Sequence, residues 1–265
     1  LVIPSSDRIT DLYLPNGLKL ILKESHLIPK VGLSIFYNVG SHDDPEDKKG
    51  MAGLQRYLMD RTGDYTARND RIEEIADNVD IKHSHDLIYF SYDLNPKHLS
   101  EILAIEARRL STIDISQISL DTAKESMISD GMEYYSSKRR QYSPYNDGHP
   151  YASSSWGDTL QIQSITIDDA LIFRHSYINP NSLTIVVVGD FNSSEIVKLI
   201  YNEFGGIQNN GRVQSDPDFS NNDSRKAHKK FPDSRDNLEG LGNAFLQVVQ
   251  ADILLPSFRN EDMLT

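Results

Sequence analysis

The chain contains no cysteine among its 265 residues. It can therefore form no disulfide bond, and it offers no thiolate ligand to a metal ion. Basic residues are also scarce: 27 Lys and Arg face 39 Asp and Glu, which gives a formal net charge of -12. This balance argues against a nucleic-acid partner, and the short basic runs at 138–140 and 229–230 form no stripe that would change that conclusion.

Long apolar runs are missing as well. No stretch approaches the length needed to cross a bilayer, so the sequence predicts no membrane span. Hydrophobic residues make up 38% of the chain and charged residues 25%, which is ordinary for a globular protein. The length leaves room for one large domain or two modest ones. The chain starts at Leu1 rather than Met, which is compatible with a leader that has been removed.

Alternating apolar residues predict the strands of a sheet. Leucines alternate on both sides of a Pro-Asn-Gly turn, so residues 11–23 predict a hairpin. Residues 31–37 alternate in the same way and predict another strand. The run at 183–188 is almost continuously apolar, which is typical of a central strand covered on both faces.

Apolar residues at helical spacing predict helices between these strands. The segments at 99–110 and 193–204 each show such a stripe, and residues 120–135 and 69–77 predict two further helices. Thr166 is a good N-cap for a helix that starts beside it.

The most informative stretch is residues 50–59, Gly-Met-Ala-Gly-Leu-Gln-Arg-Tyr-Leu-Met. Its apolar residues recur at helical spacing, which predicts a helix with one buried face. Gly53, Arg56 and Tyr57 stand at i, i+3 and i+4 and therefore share one side of that helix. An acidic loop at 42–46 precedes the helix. Its residues His42, Asp43 and Asp44 could hold a hard cation, but exposed loop charge explains them more simply.

Together with the Leu-Pro-Asn-Gly-Leu turn at 14–18, this helix resembles the N-terminal domain of the pitrilysin/insulinase family, which includes mitochondrial-processing-peptidase-like proteins. In active members the helix carries the motif H-x-x-E-H, in which two His bind zinc and the Glu activates a water molecule. The resemblance places Gly53 at the first His, Arg56 at the Glu and Tyr57 at the second His. A third zinc ligand, a Glu in active members, corresponds to Asp130.

None of these residues replaces the chemistry of the motif. Gly53 has no ligand atom, Arg56 is permanently protonated, and a lone tyrosine such as Tyr57 is a poor zinc ligand near neutral pH. Asp130 keeps a carboxylate, but one carboxylate does not hold zinc. We therefore predict a protease fold without protease chemistry and no bound cofactor. Zinc would belong to the family and to an active partner.

The resemblance also assigns a role to the strand that follows. The family pairs its substrate with an edge strand, which corresponds here to residues 87–92. The residues before it, 78–81, lack the glycines and the Asn-Ala pair that the family carries. Because strand pairing depends on an open edge with free backbone groups, we expect the strand to persist without the substrate register of the family.

Two further arrangements of side chains are possible. His83 and His85 would lie on the same face of a strand, and from there both could bind one metal ion. A solvated segment explains them more simply. Tyr57 would fill the space of the lost metal site, and Arg56 would form an ion pair with Asp130 across it.

The resulting fold class is α+β: a mostly antiparallel sheet with helices packed on one face, plus the start of a second similar domain. Residues 1–208 would form the pitrilysin/insulinase-like N-terminal domain. Residues 209–243, rich in Asn, Ser, Asp and Gly, predict a linker, and residues 244–265 would begin the incomplete second domain.

The resemblance implies that such domains work in pairs around a chamber for peptides. The first hypothesis is therefore a non-catalytic subunit or half, which forms chamber wall and peptide-binding surface for an active zinc-bearing homologous partner in a heterodimer. The second is an active zinc-dependent endopeptidase with an atypical metal site, and the third is a non-proteolytic scaffold subunit. By resemblance we expect a bacterial periplasmic setting, with a mitochondrial setting as the alternative.

Overall fold

The computed structural model describes residues 9–61, 65–112, 114–137 and 151–211. In this part of the chain, six strands form one sheet and seven α-helices accompany it. The strands are β1 (Thr10–Tyr13), β2 (Lys19–Glu24), β3 (Val31–Tyr37), β4 (Ala76–His83), β5 (Ile88–Leu94) and β6 (Leu183–Gly189). The helices are α1 (Met51–Arg61), α2 (Tyr65–Ile75), α3 (Leu99–Ser111), α4 (Gln117–Ser137), α5 (Thr159–Ser164), α6 (Ile167–Tyr177) and α7 (Ser193–Phe204). None of the helices in these ranges is both long and apolar enough to cross a membrane.

The strand order in the sheet is β1-β2-β6-β3-β5-β4. Strands β1 and β2 form the predicted antiparallel hairpin, and Gly17 in its turn has φ +90°, a conformation that glycine adopts without strain. Strand β6 pairs parallel with β2 and antiparallel with β3, and the remaining pairs are antiparallel. The predicted α+β class with a mostly antiparallel sheet is confirmed.

Burial alternates along the inner strands because helices cover one face of the sheet. In β3, β5 and β6 every second residue is buried, and the residues between them keep partial exposure. The prediction that residues 183–188 are covered on both faces is therefore wrong for the described residues, since Val188 is 43% exposed. An unbroken run of valines marks a central strand here, but the second face of that strand stays accessible.

The edge of the sheet differs from the prediction. Residues 88–92 of the predicted strand at 87–92 fall within β5, which lies between β3 and β4, and β4 is the strand at the edge. Helix α2 ends at Ile75, and β4 begins at the next residue instead of after Asp77. Residues 76–83 contain few apolar residues, so their pattern is weak. Their pairing with β5, which starts with a bulge between Ala76 and Asn78, makes them a strand.

The loop before α1 holds that helix in place. Both carboxylate oxygens of Asp44 accept hydrogen bonds from the helix N-terminus, from the backbone N–H of Gly50 and of Ala52, each at 2.7 Å. Asp43 and Asp44 are each only 6% exposed, so the expectation of exposed loop charge is wrong for both residues. Within α1, the fully buried Gln55 donates from Nε2 to the carbonyl of Ala170 in α6. These buried contacts fix the position of the helix that carries the candidate site.

Other helix boundaries follow the sequence closely. Thr166 caps α6 as predicted: its hydroxyl accepts from the N–H of Asp169, and the Asp169 carboxylate accepts from the N–H of Thr166. The linker predicted at 209–243 lies outside the described residues except for its first three positions, and the second domain predicted at 244–265 lies wholly outside them.

Candidate functional site

The candidate site lies where α1 faces α4 and the end of β4. Tyr57 of α1 donates its phenolic hydrogen to Oδ2 of Asp130 in α4, at an oxygen–oxygen distance of 2.6 Å. These two residues are 73 positions apart in the sequence. The structure thus brings together two of the positions that the resemblance assigns to one metal site.

Gly53 also faces this site, and the space beside it is filled. A Cβ atom at this position would lie 2.5 Å from Cε of Met127 and 3.1 Å from Nε2 of His83. Both distances are shorter than ordinary van der Waals contact, so the neighbours occupy the volume that a longer side chain at Gly53 would need. Met127 reaches this volume from α4, and His83 reaches it from the end of β4.

Arg56 does not pair with Asp130. Among the described residues Arg56 forms no ion pair; its Cζ lies 4.2 Å from the centroid of the Tyr57 ring, and its Nη2 donates to the carbonyl of Ile81 at 3.3 Å. The predicted Arg56–Asp130 ion pair is therefore wrong. The physical reason is that Tyr57 lies between them: the Arg56 guanidinium stacks on its ring, and its hydroxyl donates a hydrogen bond to the Asp130 carboxylate.

His83 and His85 have separate surroundings. Strand β4 ends at His83, so the alternation that would place both rings on one face does not extend to His85. The His83 ring packs against Trp156, with 4.6 Å between ring centroids. The His85 ring instead lies 4.9 Å from that of Tyr151, and its Nε2 donates to the carbonyl of Ser153 at 3.0 Å.

Burial keeps the side chains of His83 and Tyr57 uncharged at neutral pH. Burial, followed by the charge of Arg56, lowers the pKa of His83 to about 4, so its imidazole is neutral at pH 7. Nε2 of His83 is buried and has no hydrogen-bond partner among the described residues. Burial and the hydrogen bond to Asp130 raise the pKa of Tyr57 well above its ordinary value, which keeps the phenol protonated.

These residues do not fit a zinc ion. A zinc ligand must present a free lone pair, but Gly53 has no side chain and Tyr57 is a protonated donor to Asp130. The guanidinium of Arg56 adds a positive charge where a dication would lie. Within the described ranges, no group of three or more His, Asp or Glu side chains is arranged to hold a metal.

Sequence reasoning missed the aromatic residues that line this site. The rings of Tyr57, His83, Trp156 and Tyr134 follow one another, with centroids 6.3, 4.6 and 5.5 Å apart. We call these four side chains the aromatic wall. Two signals were available: Trp156 is the only tryptophan in the chain, and Tyr134 stands four residues after Asp130 and therefore shares its face of α4.

Comparison with known proteins gives a match to one family model, over a part of the chain that follows the site residues. Residues 164–247 match the family model described as the Peptidase M16 inactive domain. No curated protein matches the chain.

Solved structures share the fold. A protease from Helicobacter pylori superposes with a TM-score of 0.70 at 18% identity, over 76% of this chain and 51% of that one. The first half of the periplasmic protease PqqL from Escherichia coli gives a TM-score of 0.70 at 16% identity, over 80% and 49% of the two chains. A mutant of the ferredoxin protease FusC, in complex with Arabidopsis ferredoxin, gives 0.68 at 15% identity, over 79% and 25%.

The chain spans about half the length of the first two of these structures. At such identities the superpositions show the shared fold, and the family model adds a match at the level of sequence. The family model covers residues 164–247 only, and together the two comparisons support the resemblance of this chain to a degenerate pitrilysin/insulinase-like, or M16-like, domain.

Proposed function

We propose that the chain is a non-catalytic subunit or half of an insulinase- or processing-protease-like zinc metallopeptidase. In this role it forms chamber wall and peptide-binding surface for an active, zinc-bearing homologous partner. The observation that carries the proposal is the filled space at Gly53, where Met127 and His83 occupy the volume that a metal ligand would need. Neither Gly53 nor the Tyr57–Asp130 pair offers zinc a free ligand.

The edge strand β4 supports the peptide-binding part of the proposal. One side of β4 pairs with β5, and within the described residues no strand pairs with its other side. An exposed edge presents backbone N–H and C=O groups to which an extended peptide can add as a further strand. The FusC structure, which contains bound ferredoxin, shows that a protein of this fold can hold another polypeptide.

The two other hypotheses make different demands on the same residues. An atypical zinc enzyme would need His83 and His85 to turn toward one ion, although their rings have separate partners. A non-proteolytic scaffold would need no active companion.

The periplasmic location of PqqL supports a periplasmic setting for this chain as part of the proposal.

Zinc content and peptidase activity separate the first two hypotheses. We expect the purified chain, incubated with zinc and then desalted, to retain much less than one zinc ion per molecule by mass spectrometry. It should not cleave a quenched fluorescent peptide library, with or without a chelator. Stoichiometric zinc, together with cleavage that a chelator stops and that is lost in His83→Leu, would establish the atypical enzyme and refute the proposal.

Affinity purification from the native cell identifies the partner. We expect a companion that carries an intact H-x-x-E-H motif. Mixing the two chains should give peptide cleavage that neither shows alone. Recovery of a stable assembly without such a companion, and without peptidase activity, would favour the scaffold instead.

A further inference from the structure

We propose that a chloride ion binds in the protein interior between β3, α3 and α6, where Arg174 and Tyr37 donate hydrogen bonds to it. The inference is independent of the proposed function, because neither residue belongs to the candidate site on α1. Its basis is the juxtaposition of a buried guanidinium that has no carboxylate partner and a buried hydroxyl that has no hydrogen-bond partner, both judged among the described residues.

The buried charge of Arg174 is only partly compensated. This residue of α6 is 1% exposed, and its Nη2 donates to the carbonyl oxygens of Arg109 and Thr112 at the end of α3, at 2.7 and 3.0 Å. Those carbonyls lie at the negative end of the helix dipole, which is worth about half an elementary charge. Nε and Nη1 of Arg174 are buried, and no described residue accepts a hydrogen bond from them. Burial lowers the pKa of Arg174 to about 10, as expected of a cation without a counter-ion.

Tyr37 adds a second unpaired donor beside this guanidinium. It ends β3, it is 0% exposed, and its hydroxyl has no hydrogen-bond partner in the described part of the chain. Short contacts link it to Arg174: the Tyr37 and Phe90 ring centroids are 6.2 Å apart, and Cζ of Arg109 lies 4.2 Å from the Phe90 centroid. Arg109 in turn offers its backbone carbonyl to Arg174. Burial raises the pKa of Tyr37, so its hydroxyl stays protonated and can donate.

The charges around these two residues leave a positive excess. Arg109 donates from Nη1 to Oε1 of the buried Glu106 at 2.9 Å, and its Nη2 lies 3.7 Å from Oδ1 of Asp60. Arg68, which donates to the backbone carbonyl of Asp60, brings a third guanidinium. Three guanidiniums therefore face two carboxylates. Because Arg109 already binds Glu106, the uncompensated charge is that of Arg174.

The unpaired atoms are mostly donors. Within the described residues, Nε and Nη2 of Arg109 lack hydrogen-bond partners as well, whereas Oε2 of Glu106 is the single buried acceptor of this group without one. A buried donor without a partner is costly, and a buried charge without a counter-charge is more so. A ligand that accepts hydrogen bonds and carries negative charge relieves both costs.

A small monovalent anion suits this position better than water or an oxyanion. A water molecule accepts hydrogen bonds but carries no charge, so it leaves Arg174 uncompensated. Sulfate and phosphate are larger, and a close-packed interior accommodates a single atom more easily than a tetrahedral group. One negative charge also matches the excess of one positive charge. A chloride ion here joins the end of α3, α6 and the end of β3, and thereby stabilises the folded chain.

Thermal unfolding of the full 265-residue chain, followed by circular dichroism, tests the inference. Chloride is raised at constant ionic strength by replacing sodium glutamate with sodium chloride, so that general screening stays the same. At a chloride concentration about tenfold above the dissociation constant, we expect the melting temperature to be about 3–5 °C higher than without chloride, because only the folded chain binds the ion.

Two variants locate the effect. Tyr37→Phe removes only the unpaired hydroxyl, so it should keep the fold, weaken chloride binding about tenfold and abolish most of the rise in melting temperature. Arg174→Met should abolish the rise completely. Arg71→Met, the same change at a partly exposed arginine of α2, is the matched control and should keep it.

A crystal soaked in bromide gives a direct observation, because bromide resembles chloride and scatters anomalously. We expect an anomalous peak within hydrogen-bonding distance of Arg174 and Tyr37. A melting temperature that does not depend on chloride overturns the inference, and a bromide peak in that case means binding at crystal concentration only. A rise that Tyr37→Phe retains in full, or a crystal without bromide at this position, places the anion elsewhere and overturns the site.

Discussion

The neutral imidazole of His83 makes a sharp prediction about acid stability. Burial against Gly53 and Trp156, together with the charge of Arg56, lowers the pKa of His83 to about 4, compared with 6.5 for an ordinary histidine. The unfolded chain therefore takes up a proton at this residue at higher pH than the folded chain does. The free energy of unfolding must consequently fall as the pH drops from about 6.5 toward 4.

The magnitude follows from the two pKa values. At about pH 7.5 His83 is neutral in both states and contributes almost nothing. At about pH 5 it is mostly protonated in the unfolded chain and still neutral in the folded one, which costs roughly 2 kcal/mol. In a His83→Leu variant this contribution is absent. Its loss of stability between the two pH values should therefore be smaller than that of the wild type by about 2 kcal/mol.

Urea denaturation at both pH values, followed by Trp156 fluorescence and by circular dichroism, measures this difference. The comparison uses the pH-dependent change within each variant, so a general effect of the substitution on packing cancels. His175→Leu, a change at an exposed histidine of α6, is the matched control and should behave as the wild type does. An identical pH dependence in the wild type and in His83→Leu would refute the assignment of a buried, neutral imidazole beside α1.

Three substitutions test the contacts around α1 by denaturation at neutral pH. Gly53→His should lower the free energy of unfolding by about 1–3 kcal/mol because the ring must displace its neighbours. Gly53→Ala should leave that free energy nearly unchanged, because a gain of about 1 kcal/mol in helix propensity offsets the crowding at Cβ. Asp44→Ala should cost about 1–3 kcal/mol because two buried N–H groups lose their acceptor, and Asp44→Asn, which keeps one oxygen, should cost less. Tyr57→Phe should cost about 0.5–1.5 kcal/mol for the hydrogen bond to Asp130, and an unchanged stability would mean that this bond is not formed in solution.

The elements with strong local patterns could be predicted from the sequence. The hairpin at 11–23 has alternating leucines around a turn that suits them, and α3 and α7 have clear apolar stripes. Such patterns depend on residues a few positions apart, and a short stretch of sequence contains them completely.

The edge of the sheet could not be predicted in this way. Residues 76–83 contain few apolar residues, and they are a strand because β5 supplies hydrogen-bond partners along their length. The exposed face of β6 was missed for the related reason that a sequence does not show which side of a strand the helices cover.

That Gly53, Arg56 and Tyr57 lie on one side of α1 was predictable, because residues at this spacing share one face of a helix whatever surrounds it. Their partners were not. The tertiary structure alone decided that Asp130 binds Tyr57 instead of Arg56, and that His83 and Met127 fill the space at Gly53. The physical reason is that residue type fixes which bonds a side chain is able to form, whereas packing among distant segments selects the bonds that form in the folded chain.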